Sequence, residues 1–237
     1  MSLTTFEDIK RKLVEIKKMG YIETHRRGQT GIGKTLEDLM GIKENNIPGP
    51  NALGFIELKT IRKDSISMLT LFTLAPHPPR VNSVLVSKYG YQSPRGDKKI
   101  LHTTLNGINF NTIKGEKGFK IEVGCDIVNL VHYKDGIVAY WEEERLKEAF
   151  ERKLKHLILV KVETKDKGKN EKFWFNEAYY LNGFSFENFK KLIKEGIILI
   201  DIRIGQYQNG RTHDHGTGFR IFINKLDLCY QRREKIL

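Results

Sequence analysis

Gly54-Phe-Ile-Glu57-Leu58-Lys59-Thr-Ile61, followed by Ser67-Met-Leu-Thr-Leu-Phe72, is the stretch whose reading decides this chain. Side chains alternate between the faces of a strand, so Glu57 and Lys59 share one face. Phe55, Ile56, Leu58 and Ile61 give the segment the apolar character of an interior strand. The whole stretch reads as a buried β-hairpin carrying two charges. An ion pair at the edge of a core is the plain explanation of Glu-x-Lys. The chemical explanation is phosphodiester hydrolysis. That reaction needs a hard divalent cation, and Mg²⁺ takes one or two carboxylates while keeping several waters. A lysine two residues on, facing the same way, then orients or deprotonates the attacking water. The incoming turn, Pro48-Gly-Pro-Asn51-Ala52-Leu53, lacks the additional carboxylate such a site calls for.

Composition narrows the partner. The chain has 237 residues, 39% of them apolar, which suffices for one sizeable unit with a core and a second lobe inserted. Lys and Arg number 41 against 29 Asp and Glu, a net charge of +12 that favours a polyanion through long-range attraction and counterion release. Nucleic acid is the first expectation and an acidic membrane surface the second. No run approaches the roughly 18 apolar residues of a membrane span, and Glu7 and Asp8 near the start do not fit a signal peptide. The expectation is a cytoplasmic protein with Cys125 and Cys229 reduced. The polar run Lys165–Lys172 reads as a hairpin tip.

Along the chain, Thr4 and Glu7 suggest a capping box for a helix with Phe6, Ile9, Leu13 and Ile16 inside, stopped by Gly20. Gly28-Gln-Thr-Gly-Ile-Gly33-Lys34-Thr35 matches the phosphate-cradling loop of nucleoside triphosphatases letter for letter, but Tyr-Ile-Glu-Thr-His-Arg-Arg before it is no buried apolar strand. A basic, glycine-rich loop opening a helix serves equally to grip DNA phosphates through Lys34. Helices are expected over 81–89, 142–154 and 185–193, and strands over 100–105, 119–123, 127–133, 137–141, 157–162 and 173–181. In Ile197-Ile-Leu-Ile-Asp201-Ile-Arg203-Ile-Gly205, the alternation puts Asp201 and Arg203 on one face, as an ion pair or as base readers. Arg can donate twice to guanine, and Asp can accept from the cytosine amino group. Tyr207, His213-Asp214-His215 and Arg220 follow, then a closing strand and a basic C-terminal helix. His213-Asp214-His215 lacks a third well-placed ligand for zinc, and donors reaching a DNA groove fit the charge better.

Thr30-Gly-Ile-Gly-Lys-Thr-Leu-Glu-Asp-Leu39, Glu57-Leu-Lys-Thr60, Leu69-Thr-Leu-Phe-Thr73, Asp201-Ile-Arg-Ile-Gly205 and His213-Asp-His-Gly-Thr-Gly-Phe-Arg220, in this order, resemble the MvaI/BcnI family of type II restriction endonucleases, relatives of the mismatch-repair nickase MutH. The resemblance implies an α/β (α+β) fold of the restriction-endonuclease-like PD-(D/E)xK kind, a central mixed sheet flanked by helices, with two lobes around a DNA cleft. It implies a catalytic lobe over 1–75 and 100–165 and a recognition lobe over 76–99 and 173–237. The implied enzyme acts on double-stranded DNA as a monomer, without a protein partner. It cuts a CC-N-GG pseudopalindrome, CCWGG favoured, with Mg²⁺, nicking one strand and then the other. By position Glu57, Lys59 and Glu37 match catalytic residues, with Asn51 standing where an aspartate is expected; Glu57, Asn51 and Leu58 match the metal site. Asp201, Arg203 and Arg220 match readers of C·G pairs, and Tyr207 and His213 match residues approaching from the minor groove. Asp214, His215 and Lys34 complete the expected DNA-binding set.

The departure is the acid before Glu57: Asn51 follows Pro50 as the family's aspartate often does, while strict spacing points to Ala52. An amide lends a neutral oxygen but no charge, so an inactivated nuclease is expected. The alternatives are a MutH-like nickase, a site-specific DNA-binding protein without catalysis, and a nucleoside triphosphatase.

Overall fold

The computed structural model describes residues 4–42, 52–166, 168, 170–214 and 216–237. Asn51, most of the turn before Glu57, and His215 therefore lie outside the described residues. The chain starts with α1 (Phe6–Lys18), β1 (Ile22–Glu23), α2 (Gly31–Met40) and β2 (Glu57–Arg62). It continues through β3 (Met68–Thr73), α3 (Val81–Tyr89), β4 (Tyr91–Gln92), β5 (Lys98–Leu105), β6 (Thr112–Ile113), β7 (Glu116–Lys117), β8 (Phe119–Val123), β9 (Ile127–His132), β10 (Gly136–Glu142) and α4 (Glu143–Leu154). It closes with β11 (His156–Lys165), β12 (Lys172–Asn182), α5 (Phe186–Lys194), β13 (Ile198–Tyr207), β14 (Thr212–Asp214), β15 (Gly218–Phe222), a 3₁₀ turn (Ile223–Leu228) and β16 (Arg232–Lys235).

These elements form two compact units. The first comprises Met1–Ser67, Arg152–Phe184 and Tyr230–Leu237; the second comprises Met68–Glu151 and Ser185–Cys229. The division differs from the expected lobes. Residues 68–75 and 100–151 fall in the second unit because β3 pairs with β15 and β5 with β13. Residues 173–184 and 230–237 fall in the first because β12 pairs with β11 and β16 with β12.

In the first unit the sheet order is β1-β12-β11-β2, with β16 also on β12. The apolar run of β11 earns its central place: it lies antiparallel to β12 and parallel to β2, with Leu157 opposite Glu57. Ile9, Leu13, Ile16, Leu36 and Met40 of α1 and α2 form one buried cluster with Leu58, Ile158, Val160, Phe173 and Phe175 of the sheet. Their i, i+4, i+7 spacing is what makes α1 amphipathic. Its cap is displaced by one residue from the expected pair. Thr5 Oγ1 accepts from Asp8 N (3.1 Å), and the Asp8 carboxylate accepts from Thr5 N (2.9 Å) and from Thr4. The short aspartate at the third helical position reaches back where Glu7 was expected to.

The expected hairpin does not form: β2 joins β11 while β3 joins β15, and each buries its apolar side chains in its own unit. In the second unit one sheet runs β3-β15-β13-β5-β4 with β14 on β13, and another runs β10-β9-β8. Ile198, Ile200, Ile202 and Ile204 are fully buried, so the opposite face of β13 carries the polar residues. Phe72 stacks on Phe219 at 4.8 Å, with Phe189 against both and Trp141 edge-on to Phe219. The basic C-terminal segment is no helix. After the 3₁₀ turn, Arg232–Lys235 extends along β12 as an edge strand, where main-chain pairing with Tyr179–Asn182 satisfies its backbone.

Both cysteines are free; burial pushes the Cys229 thiol up to about 12, and Cys125 is exposed. Among the described residues no helix is long and apolar enough to cross a membrane.

The glycine-rich loop folds back on the start of α2 so tightly that a Cβ at Gly31 would lie 2.2 Å from the Arg26 carbonyl oxygen. Gly31→Ala must displace that backbone, and a loss of about 1 to 3 kcal/mol is expected in urea unfolding; unchanged stability would contradict this packing.

Candidate functional site

Glu57 opens β2 and is only 6% exposed. A carboxylate so placed must be paired, since an unpaired buried charge is strongly disfavoured. Two ammonium groups do this. Lys59 Nζ donates to Oε1 at 3.2 Å and Lys153 Nζ donates to Oε2 at 3.0 Å. Lys59 comes from the same strand face by alternation. Lys153 comes from the last turn of α4, and the register explains why. Leu157 lies opposite Glu57, so the helix end four residues earlier is carried beside the carboxylate. Burial pushes the Lys59 ammonium below its ordinary value, and the adjacent Glu57 charge works against that. Lys153 pushes the same way as burial, and Glu37, on α2, opposes it.

Leu58 sends its side chain into the core cluster with Ile158, so its main-chain carbonyl is the only oxygen it can offer a metal. Ala52 is buried, and its N–H and carbonyl are both bonded to Ile56 at 2.9 Å. The strictly spaced position thus supplies a methyl group and no free oxygen. Among the described residues no group of three His, Cys, Asp or Glu could hold a metal ion. The hard oxygen of Glu57 suits a hard divalent cation in kind, but the described donors fall short in number. Asn51, the position that would add one, lies outside the described residues.

Lys34 does not point a free ammonium along a phosphate loop. It donates to Asp38 at 2.6 Å, and the other Asp38 oxygen is 3.0 Å from His25 Nδ1. Thr35 is fully buried, accepting from His25 N and donating to the Gly31 carbonyl. Both signature side chains are engaged within the loop, and β1 before it is a two-residue edge strand. A concavity of about 680 Å³ lies beside this loop, lined by Arg27, Gly28, Arg62 and Glu171 among others, but not by Glu57.

In the second unit Asp201, Arg203 and Arg220 come together. Asp201 is 5% exposed, and its Oδ2 accepts from Arg203 Nε at 2.7 Å and from Arg220 Nη1 at 2.6 Å. Thr104 donates to Oδ1 at 3.0 Å, and Thr70 accepts from Arg220 Nε at 3.0 Å. Here Asp201 holds two guanidinium groups, while Arg203 remains half exposed. The ring of Tyr207 lies 6.3 Å from that of His213, at the β13–β14 end. Asp214 accepts from Asn82 Nδ2 at 2.5 Å and from Gly216 N at 2.8 Å, which ties the end of β14 to α3 and to the turn after it.

Lys153, Thr104 and Thr70 have no role in the sequence reading, although Thr70 lies within the motif Leu69-Thr-Leu-Phe-Thr73. Each reaches its site only through strand pairing distant in sequence.

Fold and site define a restriction-endonuclease-like, site-specific deoxyribonuclease. The model of the MvaI/BcnI restriction endonuclease family matches residues 10–230, and the chain belongs to that family. Among solved structures it is similar to the complex of restriction endonuclease MvaI with its cognate DNA substrate. That likeness has a TM-score of 0.84 and 33% identity, covering 97% of each chain. It is also similar to MvaI in the absence of DNA, with a TM-score of 0.58 and 30% identity, covering 100% of this chain and 99% of that one. No match was found among curated proteins.

The shared carboxylate makes an asymmetric forecast. Glu57→Gln leaves two half-buried ammonium groups facing each other and should destabilise by about 2 kcal/mol. Lys153→Met keeps the Glu57–Lys59 pair and should cost no more than about 1 kcal/mol. Urea unfolding of both variants checks the order; Lys153→Met as the more damaging change would refute it.

Proposed function

We propose that this chain is a type II restriction endonuclease, inactivated at the acid expected before Glu57, of a kind that hydrolyses double-stranded DNA at a CC-N-GG pseudopalindrome, CCWGG favoured, working as a monomer that nicks the two strands in turn. The observation that carries the reading is the buried Glu57 carboxylate on an edge strand with the Lys59 ammonium beside it. The MvaI complex with cognate DNA supports DNA as the partner.

On this reading Mg²⁺ would be held by Glu57, the Leu58 carbonyl and the residue at position 51, where it would supply charge stabilisation at the phosphate. Lys59 orients the attacking water with its ammonium. Glu37 holds the local charge balance through Lys59. Lys153 fixes the rotamer of Glu57 by its hydrogen bond. Arg203 and Arg220 present guanidinium donors to guanine O6 and N7, with Asp201 orienting both. Tyr207 and His213 approach from the minor groove, and Lys34 contributes to backbone contact.

A second reading, a site-specific DNA-binding protein without cleavage, is favoured by one observation: Ala52 offers no carboxylate, and Asn51 carries none. The two readings separate on restoration. Asn51→Asp or Ala52→Asp should yield Mg²⁺-dependent cleavage of a plasmid bearing CCWGG sites, and Glu57→Ala in the restored chain should abolish it. Intact DNA binding with no cleavage from either restored variant would sink the inactivated-nuclease account. Arg203→Ala should cost about 1 to 3 kcal/mol of binding and relax preference at one base pair, checked by equilibrium titration of duplex variants.

A further inference from the structure

We infer that His102 is a further specificity-determining residue, reading the acceptor edge of a purine at the base pair adjoining the one read by Arg203. The inference rests on the base-reading role proposed above for Arg203.

The placement follows from register. In the antiparallel pairing of β5 with β13, Thr104 lies opposite Asp201, His102 opposite Arg203 and Lys98 opposite Tyr207. Two contacts fix which way these β5 residues face. Thr104 Oγ1 donates to Asp201, and the Lys98 ammonium lies 5.5 Å over the ring of Tyr207. Side chains two apart on a strand share a face, so His102, between Thr104 and Lys98, projects on that side too. The neighbouring positions Leu101 and Leu105 are fully buried on the opposite face.

His102 is exposed, as Arg203 is. Its backbone is held: the carbonyl accepts from the Tyr91 hydroxyl at 3.2 Å. Directly opposed residues in an antiparallel pair have Cβ atoms about 5 Å apart. Successive base pairs are separated by about 3.4 Å. An imidazole beside a guanidinium that meets one guanine therefore comes level with the next pair. An imidazole N–H donates to purine N7 or guanine O6, the acceptors of the major-groove edge.

The test is equilibrium binding without a divalent cation, so that cleavage plays no part. The probes are a duplex carrying CCWGG, its single-base-pair variants and an unrelated duplex. The unaltered chain should prefer CCWGG. His102→Ala should lose about tenfold of that preference at one base-pair position, with binding to the unrelated duplex and the salt slope unchanged. Arg203→Ala should flatten a different, adjoining position. A uniform loss on every duplex with a salt slope smaller by about one would make His102 a phosphate contact and overturn the inference. No effect of His102→Ala would also overturn it. If Arg203→Ala flattens its position and His102→Ala flattens none, the assignment of His102 alone falls. If neither does, or the unaltered chain shows no preference, the base-reading account of the face fails as well.

Discussion

One buried carboxylate shared between two ammonium groups organises the first unit. Glu57 sits at the start of β2 with little exposure because its charge is paired, and Lys59 and Lys153 engage its two oxygens from opposite directions in sequence. That requirement constrains the sheet. Lys153 reaches Glu57 only if β11 runs parallel to β2 with Leu157 beside Glu57, since a slip of one residue would turn the β2 side chains to the other face. The apolar cluster beneath, with Leu58 against Ile158, enforces the same register from the opposite face. Site geometry and core packing are thus two readings of one alignment.

The second unit repeats the device with different chemistry. Asp201 is as buried as Glu57, it too pairs with a cation two residues on, and it too receives a second cation from another element. Guanidinium groups replace ammonium groups, and the choice matters. A guanidinium has donors left after one or two are spent, arranged in a fixed fork, whereas an ammonium is a compact point charge. An acid that fixes two forks before any ligand arrives reduces the side-chain entropy lost on binding. Within the chain Asp201 supports both arginines. Its oxygens already accept from three side chains.

What was legible in the sequence was what periodicity encodes. α3, β8 and the fully buried side of β13 follow from local pattern, and alternation alone put Glu57 beside Lys59 and Asp201 beside Arg203. What was not legible was pairing. Nothing in Met68–Thr73 distinguishes a return strand beside β2 from a strand pairing with β15, because both would bury the same side chains. Lys153 is one of two lysines on α4, and only a parallel register 96 residues away selects it. The C-terminal basic run failed for a related reason: its fate is set by the unpaired edge of β12, which no local propensity reports.

The charge balance at Glu57 bears on how a divalent cation would be received there. Glu57 and Glu37 both act on Lys59, and Lys153 shares the Glu57 carboxylate with it. A divalent cation entering such a site adds two positive charges, and in a poorly solvated setting each uncompensated charge is costly. On the proposed function that charge would have to be offset by a further carboxylate or by Lys153 giving way. Ala52 brings a methyl group and no charge. Among the described residues the Glu57 carboxylate is satisfied by its two lysines, and a metal ion would have to compete with both for its oxygens.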